Sequence, residues 1–172
     1  MRKLFLVLIA FVAMGITASA QKFGHCVSAE IIESMPEYKA AQTALEAEGK
    51  KLDDQLQTMG MEYQSKMQAY QENMQLAEAA PEKWSAALRA DKEQEIMQLQ
   101  ERIQRFQENA QTSLGQKRND LIKPVMDKLD VAIKKVAADG GYVYIMDKNS
   151  VLFVNETISV DVTADIKKAL GM

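Results

Sequence analysis

Between Pro36 and Asp139 lie about a hundred residues dominated by Ala, Glu, Gln, Lys, Met and Leu, interrupted by two further prolines, Pro81 and Pro124. These six are strong helix formers, and a stretch this long with so few breakers leaves long helix as the natural outcome. Apolar side chains recur at Leu52, Leu56, Met59, Tyr63, Met67, Tyr70 and Met74, in an eleven-residue repeat that favours a straight or slightly right-handed seam. After "AEAAPEKW" the pattern resumes at Leu88 and runs through Ile96, Leu99, Ile103, Phe106 and Ala110, with the alternating threes and fours of a left-handed coiled coil. Gln, Glu, Lys and Arg fill the opposite faces.

Proline is poor inside a helix but suits the first turn of a new one, so Pro81 divides the two stripes. They are expected to fold back on each other as antiparallel helices with a tip near residues 78–84. At about 1.5 Å of rise per residue, an arm of about 40 residues reaches about 60 Å. Ser34, with Glu37 three residues later, reads as a capping box at the start of the region. Pro124 lies inside "LIKPVMDKLDVAIKKV", where it cannot donate to the carbonyl of Asp120, and predicts a kink.

Gly140-Gly141 ends the helical region. "YVYIM", a polar turn "DKNS" and "VLFVN" follow, predicting two short strands joined as a hairpin. "DVTADIKKALGM" predicts a final short helix capped by Asp161 or Thr163, with Lys167 and Lys168 in its last turn. A lone hairpin is barely stable, and "KFGHCV" ahead of the helices is the candidate third strand. The predicted fold is mainly α with a small β body (α+β). A helical hairpin arm, residues 36–114, projects from a three-strand body made of residues 21–35 and 115–172. Such a body has little core and exposed edges, so association of several copies would complete it. Val27, Tyr142, Tyr144, Val151 and Phe153 are the candidate oligomer-body residues.

The first twenty residues read as a cleaved targeting segment. Arg2 and Lys3 are followed by the apolar run "LFLVLIAFVAM", and "ASA" precedes Gln21. The run is too short for a permanent bilayer span; a bacterial secretory signal, and hence a periplasm, is expected. With Arg2 and Lys3 removed, 19 basic residues face 24 acidic ones, a net charge of −5. That disfavours generic nucleic-acid binding, which needs a basic face.

His25 and Cys26, the single histidine and single cysteine, stand side by side. Adjacent strand residues point to opposite faces, which argues against a catalytic Cys-His pair. One is expected to pack inward and the other to point outward. One cysteine forms no internal disulfide, and a zinc site would need ligands from other chains. No phosphate-binding loop or nucleophile elbow is present, so neither an enzyme nor a cofactor is expected. The acidic and mixed runs "EAEGKKLDD" and "ADKEQE" read as solvated helix faces.

"SAEIIESMPEYKAAQTALEAEGKKLDDQLQ" near the start and "GGYVYIMDKNSVLFVNETISVDVTADIKKAL" at the end, with "DVTAD" opening the last helix, resemble the Skp (OmpH-like) family of periplasmic chaperones. The resemblance covers essentially the whole mature chain. It implies a homotrimer whose bodies associate through their strands while three helical arms enclose a cavity. It further implies an ATP-independent holdase that binds unfolded outer-membrane β-barrel proteins there and prevents their aggregation. Methionine is flexible and polarizable and suits promiscuous contact; Met61, Met67, Met74, Trp84 and Met97 are the client-contact candidates. Met67 also fits the seam between the helices, whereas Met61 and Trp84 fall off it. Well-known family members are strongly basic; the acidic balance here points to apolar contact and avidity rather than attachment to acidic lipid. An exported coiled-coil scaffold or adaptor bridging envelope proteins is the alternative function.

Overall fold

The computed structural model describes residues 21–79 and 82–172. The predicted signal segment 1–20 and Pro81 lie outside the described residues. The elements run β1 (Lys22–Cys26), α1 (Ser28–Ser34), α2 (Pro36–Ala79), α3 (Ala86–Gly140), β2 (Tyr142–Asp147), β3 (Ser159–Asp161) and α4 (Thr163–Ala169). A short 3-10 turn at Lys148–Ser150 follows β2. The chain divides into two compact units, residues 21–32 with 128–172, and residues 33–127. None of the described helices is long and apolar enough to cross a membrane.

In the first unit β1 is the middle strand, flanked by β2 and β3 and parallel to both. Phe23 pairs with Tyr144 on one side and Ser159 on the other, and His25 with Met146 and Asp161. β2 and β3 lie on opposite sides of β1 and do not pair with each other, so the predicted β-hairpin is not formed. After β2 the Asp147 carboxylate accepts the Asn149 N–H at 3.1 Å, starting the 3-10 turn in place of a reversal. Val151–Asn155, the expected second hairpin strand, is irregular. The third strand is instead Ser159–Asp161, introduced by a turn in which the Asn155 side-chain oxygen accepts both the N–H and the hydroxyl of Thr157. β-propensity reflects fit to a pleated, half-buried surface. Leu152 and Phe153 have the right residue types but no such surface, and both stand exposed.

The core of this unit joins Cys26, Ile31, Leu129, Ala132, Val136, Val162 and Ile166. Ile145, Tyr142 and Leu170 pack around it. Gly24 lets β2 approach: a Cβ there would sit 3.1 Å from both Ile145 Cγ1 and Tyr142 Cδ1. Gly141, at φ +66°, ends α3 in the left-handed conformation that glycine tolerates best. The start of α4 is tied down twice. The N-cap is Val162, without a side-chain cap, rather than the expected Asp161 or Thr163; the Asp161 carboxylate instead accepts the Thr163 N–H at 2.9 Å, while the Thr163 hydroxyl accepts the Val27 N–H at 3.1 Å. Between them Val162 is fully buried and donates its N–H to the carbonyl of His25.

Both members of the His25–Cys26 pair are buried, which corrects the expectation that one would point outward. They do face opposite sides, as strand geometry requires. Cys26 enters the core, and His25 Nδ1 lies 2.9 Å from the hydroxyl of Ser159 on β3. A central strand has a neighbour on each edge, and here that supplies the buried histidine with its partner.

The second unit is helical. α2 is 44 residues long, about 66 Å, and begins with Pro36 at its first helical position. α3 continues unbroken through Pro124. Ser85 caps it, its hydroxyl accepting the Leu88 N–H at 3.3 Å.

Candidate functional site

The two long helices run antiparallel, as their cross-links show. Glu48 pairs with Lys117 at 2.6 Å, Glu62 with Arg102 at 3.1 Å and Lys66 with Glu95 at 3.0 Å, while Tyr70 donates its hydroxyl to Glu93. Partner numbers on α3 fall as those on α2 rise. These contacts set local charge: the Lys117 ammonium holds the Glu48 carboxyl below its usual range, and Lys92 and Lys66 do the same for Glu95. The hydrogen bond to Glu93 pushes the Tyr70 phenol up.

The seam under these cross-links is shallow. Leu52, Leu56, Met59, Tyr63, Met67 and Tyr70 are half-buried, and only Ile96 and Leu99 on the facing stripe are properly enclosed. Two helices cannot cover each other's apolar faces as a bundle does. Between them an open groove of about 800 Å³ is lined by Ala47, Met59 and Phe106 together with Lys50, Asp54 and Arg102.

The five predicted contact residues divide. Met61 and Met97 are 56% and 57% exposed, and Met67 lies half-buried in the seam. Met74 is 37% exposed. Trp84, expected to fall off the seam, is instead packed at the tip and only 7% exposed. Its ring lies edge-on to Tyr70 at 5.9 Å, and its indole N–H donates to the Met74 sulfur at 3.4 Å. An aromatic beside a chain reversal can fold back over both helix ends, which periodicity along one helix does not reveal. Leu76, more exposed than any of the five, lies two positions past Met74 and out of step with the stripe, so the spacing does not single it out.

In the sheet unit the predicted body residues are also spread. Val27 and Tyr142 are half-buried, Tyr142 under the Lys22 ammonium at 4.2 Å. Tyr144 is exposed and stacked on Phe23 at 6.4 Å. Val151 is half-buried and Phe153 is 80% exposed. Leu152, Ile158 and Val160 join Tyr144 and Phe153 as apolar side chains facing solvent within one short stretch of chain. Among the described residues no group of three or more His, Cys, Asp or Glu could hold a metal.

A small parallel sheet and a long helical hairpin, each with uncovered apolar side chains, make up the described residues. A profile of the OmpH-like outer membrane protein family matches residues 22–170, and the chain belongs to that family. It is 28% identical to the chaperone protein Skp of Yersinia enterocolitica over 162 residues, covering 91% of each chain. It is 27% identical to the chaperone protein Skp of Pectobacterium atrosepticum over 154 residues, covering 87% of this chain and 86% of that one. A solved OmpH-like protein of Caulobacter crescentus shares the fold, with a TM-score of 0.71 and 14% identity over 87% of this chain and 83% of that one.

Proposed function

We propose that this chain is an ATP-independent holdase chaperone of the bacterial periplasm, exported with loss of residues 1–20. It binds unfolded outer-membrane β-barrel proteins between the helical hairpins of a homo-oligomer, a trimer, and keeps them from aggregating. The observation that carries this reading is the half-covered seam, with Met61 and Met97 exposed beside it. A holdase needs many weak, adaptable contacts and no chemistry, and thioether side chains supply them. Several hairpins around one cavity multiply such contacts through effective concentration. The curated relatives, called chaperones, support the reading. Association through the sheet unit is supported by the apolar run of Tyr144, Leu152, Phe153 and Ile158, which a single copy leaves in water.

The test is to dilute a urea-unfolded outer-membrane barrel into buffer containing the mature protein. Turbidity reports aggregation and light scattering the mass of the assembly. Suppressed aggregation by an oligomer is expected. A monomer that leaves aggregation unchanged would overturn the proposal, and binding confined to one folded partner would favour a scaffold.

A further inference from the structure

Trp84 is the single tryptophan of the chain, and its indole N–H is held by a thioether, the Met74 sulfur 3.4 Å away. Thioether sulfur is a weak acceptor, an unusual choice for a largely buried donor at the point where the chain turns from α2 into α3. Met74 is also open to solvent over about a third of its surface, so a small oxidant can reach it. Cys26, the single thiol of the chain, is enclosed in the sheet core, and burial pushes its pKa up. With little thiolate and no access, it does not compete.

We propose that Met74 is an oxidation site whose state is passed to Trp84. In the chemical step a sulfur lone pair attacks one oxygen of hydrogen peroxide. The S–O bond forms as the O–O bond breaks; the thioether loses two electrons to become a sulfoxide, and the peroxide is reduced to water. The sulfoxide oxygen then replaces sulfur as the acceptor of the indole N–H. A weak link at the tip of the hairpin becomes a strong one. Met61 and Met97 are more exposed and are oxidised as well, but Trp84 is engaged by Met74, so their oxidation makes the surface more polar without reaching the indole. This inference stands on the tip geometry and is independent of the proposed chaperone activity.

The experiment exposes the mature protein to hydrogen peroxide, stops the reaction with catalase, records tryptophan emission, and locates added oxygen by peptide mass spectrometry. Met74 is expected to gain one oxygen while Met35, 1% exposed, gains none. Trp84 emission is expected to move to longer wavelength, and to return when methionine sulfoxide reductases and dithiothreitol are added. The shift should vanish in Met74→Leu and persist in a Met61→Leu/Met97→Leu double variant. Met74→Gln, whose amide oxygen imitates the sulfoxide, should show the longer-wavelength emission without oxidant. Circular dichroism checks that each variant is helical. A Met74 that stays unoxidised, an oxidised Met74 with unmoved emission, or an equal shift in Met74→Leu would each overturn the proposal.

Discussion

Asp161 and Thr163 show how two short polar side chains hold a strand and a helix together. Burial alone would raise the Asp161 carboxyl, but hydrogen bonds from the Thr163 hydroxyl and N–H, with the nearby His25 and Lys148, outweigh it and bring the pKa below its ordinary value. A depressed carboxylate contributes stability above the unfolded value of about 3.9 and loses it as pH falls through the folded value. The urea midpoint is therefore expected to drop below about pH 4, and Asp161→Asn, whose amide oxygen can still accept the Thr163 N–H, should flatten that dependence. An unchanged acid limb in the variant would show that the charge is not involved. Thr163→Val removes the acceptor of the Val27 N–H and is expected to cost about 1–3 kcal/mol in equilibrium denaturation. The raised thiol of Cys26 works in the other direction: its contribution is complete below the ordinary thiol value and is lost as pH rises through the folded one. At pH 8 the native thiol should react with disulfide reagents only as fast as the sheet unit opens. That "DVTAD" opens the last helix could be read directly, because the turn is local, although the N-cap proves to be Val162. The His25–Ser159 contact could not, since it joins residues 134 apart along the chain and depends on strand order.

Helices and strands differed in how well their pattern foretold them. Period and composition were enough for α2 and α3, because a helix forms its hydrogen bonds within itself and its apolar stripe needs only one facing neighbour. The sheet had three plausible strands and several pairings. Choosing parallel over antiparallel required knowing that β1 lies in the middle, and neither "YVYIM" nor "VLFVN" states that. Within the helices, the shallow seam separates positions that look alike in sequence. Leu99, 3% exposed, and Met97, two residues earlier and exposed, sit on the same helix. Leu99→Ala is expected to cost about 2–5 kcal/mol, as buried leucine truncations do. Met97→Ala should lie within about 0.5 kcal/mol of wild type. Urea unfolding followed by helical ellipticity measures both, and equal costs would mean that the seam is not where the burial pattern puts it.

For the molecule as a whole, the proposed association of copies rests on the exposed apolar side chains between Tyr144 and Val160. Phe153 and Leu152 contribute nothing to the core of their own unit, so changing them should leave the fold intact. A Leu152→Ser/Phe153→Ser variant is expected to keep its helical ellipticity but elute at lower mass, with light scattering as the measure. Retention of the wild-type mass would place the contact elsewhere. Loss of ellipticity would mean that the two side chains support the fold after all.

The middle strand also imposes an order on events. β1 comes first among the described elements, yet Lys22 pairs with Tyr142, and the other flank of β1 waits for Ser159–Asp161. The helical hairpin needs no such wait, since the contacts nearest its tip join residues close in sequence, as with Met74 and Trp84. Non-local pairing is slow to form and local contacts are fast. A chain emerging from its amino end would thus zip its helices together while its first strand remains single. The sheet closes like a clasp, after the last few residues arrive. A chain cut short before Ser159 would keep a zipped hairpin and a clasp with one side missing.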